Sequence, residues 1–135
     1  MPCVFCEGDG GTVLWRDARL RVIHAAVEGY PWFLRVILNR HVPEMSDLDS
    51  PERAALMRVV FAAEQALREA CAPVKMNLAS FGNQVPHLHW HVVARFADDP
   101  HYPEPPFGAP VRRGAPRAAA DASGLAARLT ELLAG

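Results

Sequence analysis

The stretch His87-Leu88-His89-Trp90-His91 decides how the rest of this chain is interpreted. Successive side chains of an extended strand point to opposite faces of a sheet, so the three imidazoles share one face. The alternate residues are apolar and take the other face, which predicts a half-buried strand over residues 87–95. Imidazole titrates near neutral pH and serves as a base, a nucleophile or a metal ligand. The imidazole face is therefore predicted to be a functional site.

Three roles are open to these histidines. Core packing is the least favoured, because a buried imidazole needs hydrogen-bond partners and three of the chain's six histidines stand here. Alternating histidines can also converge on one metal ion, which would make a three-histidine metalloenzyme. Nucleophilic catalysis by His89, with its two neighbours in support, is the interpretation we favour.

The composition is that of an ordinary globular chain. The 135 residues fit one domain, half of them are hydrophobic, and the formal net charge is −1. Neither disorder nor a nucleic-acid-binding surface is indicated, and no apolar run approaches the length of a membrane span. The start Met1-Pro2-Cys3 has no signal-peptide pattern, so the cytoplasm is the expected location.

Two of the three cysteines, Cys3 and Cys6, form a Cys-x-x-Cys pair. An odd cysteine count without a secretion signal argues against a disulfide framework. A redox pair is expected between a strand and a helix, whereas this pair stands at the extreme N-terminus, so half of a zinc site is favoured. Cys71 ends the apolar stripe of a predicted helix and is expected to be a small core residue.

The remaining pattern predicts an α+β domain with a five-stranded antiparallel sheet. Gly82-Asn83-Gln84 provides a turn between the last two strands, which are expected to pair as a hairpin. Residues 98–117 are rich in proline and are predicted to form a loop. This loop divides the single domain of residues 1–135 into a core over 1–97 and a C-terminal helix and tail over 118–135. The predicted strands span residues 12–16, 20–24, 32–38, 74–80 and 87–95.

One long helix and one short helix complete the pattern. The long helix is predicted to begin with Ser50 as its N-cap and Pro51 in its first turn. It ends at Cys71, because Pro73 cannot continue it. The short helix is predicted over residues 124–133.

The run His-Leu-His-Trp-His, followed by apolar residues and an arginine, resembles the His-x-His-x-His-x-x signature of the histidine triad family. The resemblance extends from Cys3 to about Arg95. The N-terminal Cys-x-x-Cys and the segment from Asn39 to Val42 resemble parts of the family's zinc-containing bacterial members. The resemblance implies the family's fold and one structural zinc ion. The implied zinc ligands are Cys3, Cys6, His41 and His87, a Cys₂His₂ set typical of closed structural sites.

The same resemblance implies that His89 attacks the α-phosphorus of a nucleotide and forms a covalent nucleotidyl-histidine that water then hydrolyses. The attacking nitrogen must be unprotonated, so the other ring nitrogen is expected to donate to a fixed acceptor such as a backbone carbonyl. His91 is expected to contact an oxygen or to pass a proton to the leaving group, and His87 completes the catalytic set. A related transferase branch has glutamine in place of the third histidine, so His91 favours the hydrolase branch.

Substrate contacts are expected from three residues near the triad. Gln84 stands three residues before His87, where the family has a polar side chain that contacts phosphate. The turn at Gly82 would offer backbone N–H groups to the same phosphate. Asn77, on the paired strand, is expected to contact the ribose or the phosphate.

Two departures from the family concern nucleoside recognition. Phe33 stands at the start of the central strand, where many members have a histidine. Ala25 and Ala26 stand where a carboxylate or amide usually binds the ribose hydroxyls. These changes leave the triad chemistry intact.

The sequence thus predicts a hydrolase of nucleotidyl phosphoesters, phosphoanhydrides or phosphoramidates. Dinucleoside polyphosphates and nucleoside phosphoramidates are the implied substrates. No phosphate-binding Gly-rich loop and no paired carboxylates accompany the triad, so no magnesium site is evident. Two alternatives stay open, a three-histidine metalloenzyme and a zinc-stabilised nucleotide-binding protein with little activity.

A homodimer is the expected assembly, because the family resemblance implies one. The long helix carries apolar residues besides its core stripe, which adds modest support. These additional residues are Met57, Val60, Phe61 and Ala62. No nucleic-acid or membrane partner is expected.

Overall fold

Residues 2–135 are described by a computed structural model. Five strands form one sheet in the order β1-β2-β3-β5-β4, and every neighbouring pair is antiparallel. The predicted α+β class and five-stranded antiparallel sheet are confirmed, as is the hairpin of β4 and β5. The strands are β1 Thr12–Arg16, β2 Leu20–His24, β3 Phe33–Leu38, β4 Lys75–Ala79 and β5 His89–Arg95.

Two helices of more than ten residues pack on the sheet, and a single helical turn comes before the first strand in the sequence. The helices are α1 Val4–Glu7, α2 Ser50–Cys71 and α3 Ala122–Leu132, with a short 3-10 turn over Met45–Asp47. The turn α1 was not predicted, because four residues are too few to show a helical period. Within residues 2–135, no helix combines the length and the apolar character needed to cross a membrane.

The N-cap of α2 is Asp49, not the predicted Ser50. The Asp49 carboxylate accepts from the Glu52 backbone N–H at 2.9 Å, and the Glu52 side chain accepts from the Asp49 N–H at 3.2 Å. A cap at Ser50 would place Arg53 three residues later, and an arginine cannot accept in return. The reciprocal pair of carboxylates therefore selects the earlier start.

The strand β5 begins at His89, two residues later than predicted. Pro86 has no N–H to donate to a ladder, and the His87 N–H bonds back to the Val85 carbonyl at 2.8 Å in a tight turn. The Leu88 N–H then pairs with the Val42 carbonyl at 2.8 Å. His87 therefore sits at the entrance to the strand, beside the exit of β3.

Different elements pack on the two faces of the sheet. Helices α2 and α3 pack on one face, where the core includes Leu34, Val36 and Val92. The opposite face holds a smaller apolar cluster around Phe5 and Phe33. Because side chains alternate along β5, His89 and His91 lie on this second face, opposite α2 and α3.

Helix α2 has less spare apolar surface than the sequence predicted. Val60 and Ala62 are buried, because α2 packs against α3 as well as against the sheet. Met57 is half-buried, and Phe61 is exposed over 56% of its surface. Of the four residues expected to leave apolar surface for a second copy, Phe61 alone is largely exposed.

A buried ion pair ties the proline-rich loop to the sheet. The Arg95 guanidinium donates to the Asp99 carboxylate at 2.8 and 3.1 Å, and both side chains are only 2% exposed. The backbone N–H groups of Phe96, His101 and Tyr102 donate to the same carboxylate. Burial alone would raise the pKa of Asp99, but the guanidinium and these N–H groups hold it well below its usual range.

Pro100 provides a second attachment, because its ring packs between two glycines. Gly29 and Gly114 have φ angles of +82° and +86°, and a Cβ atom built on either would lie 2.9 Å from the Pro100 side chain. Both positions therefore require glycine for their backbone conformation and for the close approach of the ring.

Candidate active site

A cleft of about 760 Å³ opens on the sheet face opposite α2 and α3. His89 and His91 of β5 and Arg35 of β3 line it from the sheet. The N-terminal segment contributes Phe5, and the proline-rich loop contributes Phe107. The turn of residues 81–85 between β4 and β5 closes a further side.

The imidazole of His89 is held in one tautomer by the backbone. Its Nδ1 lies 2.7 Å from the His87 carbonyl oxygen. A carbonyl can only accept, so Nδ1 carries the proton and the neutral ring keeps a free lone pair on Nε2. Burial lowers the pKa of His89, and the charge of Arg35 acts in the same direction. The expected hydrogen bond to a backbone carbonyl is thus present, and it leaves Nε2 unprotonated.

His91 lies next to His89, with ring centroids 5.0 Å apart. Burial lowers the pKa of His91 to about 4, with His89 and Arg35 adding to the effect, so the ring is neutral at pH 7. Its Nδ1 atom is buried and has no hydrogen-bond partner in the described part of the chain. A neutral imidazole donates one hydrogen bond, so His91 can bind an oxygen of a ligand without carrying a charge.

His87 joins a cluster of side chains that could bind a metal, and the Phe5 ring packs against both His87 and His89. Its Nε2 lies 2.5 Å from the Leu38 carbonyl, so Nε2 carries the proton and Nδ1 is free to bind a metal. That Nδ1 lies 3.4 and 3.5 Å from the Sγ atoms of Cys3 and Cys6. The Nδ1 atom of His41 lies 3.1 Å from His87 Nδ1 and 3.3 Å from Cys6 Sγ.

These four atoms fit a tetrahedral ion. They lie within 4.8 Å of one another, and the group could hold a metal ion. With bond lengths of about 2.0–2.3 Å, tetrahedral ligands lie about 3.3 Å apart for two nitrogens and about 3.5 Å apart for nitrogen and sulfur. Among residues 2–135, no second group of this kind is found, and the three triad histidines do not converge on one point.

Arg21 explains why the N-terminal cysteines reach this position. It is only 4% exposed, and its guanidinium donates to the backbone carbonyls of Phe5 at 2.7 Å and Asp9 at 2.9 Å. It also donates to the Asn39 side chain at 2.8 Å, two residues before His41. One buried arginine therefore fixes both the turn that carries the cysteines and the segment that carries His41.

The structure brings two of the three expected substrate-binding residues to the cleft. Gly82 and Gln84 both line it, and the φ of +71° at Gly82 makes the turn there possible. Asn77 does not line the cleft, because its Oδ1 accepts from Arg95 Nη1 at 2.7 Å. Asn77 belongs to the network that holds the proline-rich loop.

Residues that were not predicted also line the cleft. Phe107 lies 5.0 Å from His91 and 5.2 Å from Phe81, measured between ring centroids, and both phenylalanines are largely exposed. The loop around Phe107 has no periodicity from which this position could be read. Arg35 did leave a signal, because a charged residue interrupts an otherwise apolar strand.

The two departures noted in the sequence also lie on this face. Phe33 packs edge-on against His91, with ring centroids 5.6 Å apart. Ala25 is fully buried in the same apolar cluster as Phe33 and offers no hydrogen-bonding side chain. Neither residue therefore offers a side-chain hydrogen bond to a nucleoside.

Comparison with known proteins gives a family and several relatives. The HIT domain family model matches residues 10–98 of the chain. The AP-4-A phosphorylases of two Mycobacterium tuberculosis strains, CDC 1551 / Oshkosh and ATCC 25618 / H37Rv, are 32% identical to it over 94 residues. This match covers 63% of the chain and 48% of each relative, so the chain spans about half the length of these curated relatives.

Solved structures resemble the chain over most of its length. A histidine triad protein from Bradyrhizobium japonicum matches with a TM-score of 0.74 and 27% identity, covering 93% of this chain and 92% of that one. A histidine triad protein from Sinorhizobium meliloti 1021 matches with a TM-score of 0.73 and 25% identity, covering 93% and 91%.

Proposed function

The chain belongs to the HIT domain family, and from this premise we propose that it is a hydrolase that cleaves nucleotidyl substrates through a covalent intermediate on His89. The observation that carries the proposal is the hydrogen bond from His89 Nδ1–H to the His87 carbonyl. It leaves the Nε2 lone pair free in a cleft to which residues 2–135 contribute no acidic side chain that would repel a phosphate.

In the first step, His89 Nε2 attacks the α-phosphorus and a nitrogen–phosphorus bond forms. The bond from phosphorus to the leaving group breaks, and the leaving group keeps the electron pair. The imidazole ring becomes positively charged, and the His87 carbonyl, which accepts from Nδ1–H, stabilises that charge. Gly82, Gln84 and the N–H of His91 supply donors to the phosphate oxygens, where negative charge is concentrated in the transition state.

In the second step, a water oxygen attacks the same phosphorus. The nitrogen–phosphorus bond breaks, a nucleoside monophosphate is released, and the neutral His89 ring is restored. The proton lost by the water passes to solvent. Dinucleoside polyphosphates and nucleoside phosphoramidates are the substrate classes we propose, since both place a leaving group on a nucleotidyl phosphorus. The name of the curated relatives, AP-4-A phosphorylase, adds inorganic phosphate as a second acceptor to be tested beside water.

We further propose that Cys3, Cys6, His41 and His87 hold a structural zinc ion. Two thiolates and two imidazoles are a typical zinc donor set, and the atom spacing described above fits a tetrahedral ion. Such an ion would join the N-terminal turn, the exit of β3 and the entrance of β5. Its contribution would be stability, because four protein ligands leave no open position for a substrate.

The decisive experiment combines mass spectrometry with metal analysis. Protein mixed with diadenosine tetraphosphate or an adenosine phosphoramidate is quenched in the single-turnover regime, and the mass of a nucleotidyl adduct is sought. We expect the adduct in the wild-type protein and its loss in His89→Ala, with turnover reduced by several orders of magnitude. Zinc content should be unchanged in this variant. His24→Gln is the matched control, because His24 lies outside the cleft and bonds to the Pro31 carbonyl.

Other outcomes separate the alternatives. If chelation abolishes turnover and each triad variant loses metal in step with activity, the protein is a three-histidine metalloenzyme. If nucleotide binds but neither adduct nor turnover is found, it is a zinc-stabilised binding protein. Near-native turnover in His89→Ala would refute the assignment of His89 as the nucleophile.

A further inference from the structure

Arg35 differs from the buried Arg21 and Arg95 in that its buried Nε atom has no hydrogen-bond partner among residues 2–135. Arg21 donates to backbone carbonyls, and Arg95 pairs with Asp99. The Nε atom of Arg35 is buried with no hydrogen-bond partner, and none of the carboxylates in residues 2–135 forms an ion pair with it. A buried N–H donor left unpaired is costly, so its position suggests a partner that comes from outside the chain.

The position of Arg35 places that partner in the cleft. Arg35 of β3 is the direct cross-strand neighbour of His91, and both side chains line the cleft. His91 Nδ1 is also a buried nitrogen without a partner in the described residues. Two unsatisfied nitrogens therefore stand side by side next to the proposed nucleophile.

The guanidinium is held from one side by an aromatic ring. Its Cζ atom lies 5.4 Å from the centroid of Phe33, in the residue position that departs from the family. A cation packed on a ring face keeps its N–H donors free at the edge. Among the described residues, none with an acidic side chain lines the cleft, so the charge of Arg35 is not neutralised there.

We propose that Arg35 binds a phosphate group of the substrate and makes the cleft selective for anionic ligands. A guanidinium matches phosphate in charge and in the geometry of its donors. The inference rests on the proposed function for the nature of the ligand, a nucleotide. It adds a residue outside the triad that contacts either the phosphate bonded to the nucleoside or the next phosphate of the substrate.

The test is calorimetric titration of the zinc-loaded protein with adenosine, AMP and ADP. In Arg35→Gln, we expect affinity for AMP, ADP or both to fall roughly 10- to 100-fold, the range for a lost hydrogen bond to a charged group. Affinity for adenosine should stay unchanged. Arg35→Lys should be intermediate, because lysine keeps the charge but not the planar fork. Arg113→Gln is the control for a change in overall charge, since Arg113 is exposed and does not line the cleft.

The three ligands locate the contact. A loss for both AMP and ADP assigns Arg35 to the phosphate bonded to the nucleoside, whereas a loss for ADP alone assigns it to the next phosphate. The inference is overturned if both nucleotides bind Arg35→Gln as tightly as wild type. It is also overturned if adenosine weakens in parallel, or if neither nucleotide binds the wild-type protein.

The result is independent of turnover. A protein that binds AMP through Arg35 but forms no adduct on His89 would keep this inference and refute the proposed reaction. A protein that forms the adduct, with nucleotide affinity unchanged in Arg35→Gln and Arg35→Lys, would keep the reaction and refute this inference.

Discussion

Replacing Asp99 by asparagine should reveal how strongly the proline-rich loop is held. The Asp99 carboxylate accepts from the Arg95 guanidinium and from three backbone N–H groups. Asparagine keeps one side-chain oxygen, so part of the backbone contacts survives. The Arg95 charge, however, stays buried at 2% exposure without a counterion. Breaking a buried pair by removing one partner costs about 3–5 kcal/mol, and we expect Asp99→Asn to lower the free energy of unfolding by about 3 kcal/mol.

The assay is urea denaturation at pH 7.5, with zinc held at the same concentration for every variant. Glu69→Gln is the matched control, because Glu69 pairs with Arg128 at 2.8 Å, with side chains 44% and 38% exposed. Such an exposed pair should contribute little to stability, because solvent screens the attraction between the charges. A loss below about 1 kcal/mol for Asp99→Asn, equal to that of the control, would refute the reasoning.

The same pair predicts a dependence on pH, with a definite sign. The pKa of Asp99 is lowered in the folded protein, so the carboxylate contributes stability above its ordinary pKa. That contribution is lost as the pH falls below the ordinary carboxyl range toward the lowered pKa. The difference in stability between wild type and Asp99→Asn should therefore be largest at neutral pH and shrink in acid.

Three further predictions concern the metal cluster, the triad and the assembly. Cys6→Ser should lose stoichiometric zinc and melt at a lower temperature, whereas Cys71→Ser should keep its zinc; metal-free wild-type protein purified without chelator would contradict the site. His91 has its pKa lowered to about 4 by burial, so the folded chain resists a proton that the unfolded chain accepts below about pH 6.5. Between pH 6.5 and 4, this group should lower the free energy of unfolding of the wild type by up to about 3 kcal/mol. In urea titrations, His91→Gln should not show this contribution to the loss of stability in acid. Light scattering at micromolar concentration should give the mass of two chains, and a monomer mass would reject the homodimer.

The sheet and the helices α2 and α3 were predictable because their sequence patterns are periodic. Strands β1 and β2 have the predicted bounds, and the end of α2 at Cys71 follows from Pro73. Alternation along the histidine run placed His89 and His91 on one face, and the short turn at Gly82 determined the hairpin. These features depend on neighbouring residues, so they are visible in the sequence alone.

Contacts between distant residues were not predictable in the same way. Phe107 reaches His91 because Asp99 and Pro100 attach the loop far from Phe107 itself. Asn77 was expected to contact substrate, but its Oδ1 atom accepts a hydrogen bond from Arg95, eighteen residues later in the sequence. The N-cap at Asp49 depended on a reciprocal contact with Glu52 that a single-residue preference for Ser50 overlooks.

The packing of Pro100 between Gly29 and Gly114 has a consequence for anyone who wishes to shorten or redesign this chain. A proline-rich stretch without helix or strand resembles a tether that tolerates substitution or removal. Here the ring of Pro100 packs against two glycines with positive φ, so an alanine at either position would strain the backbone and force the ring to move. A chain trimmed at residue 97 would lose this packing and leave the guanidinium of Arg95 facing empty space. The stretch should therefore be treated as part of the folding unit, and insertions or fusions belong elsewhere.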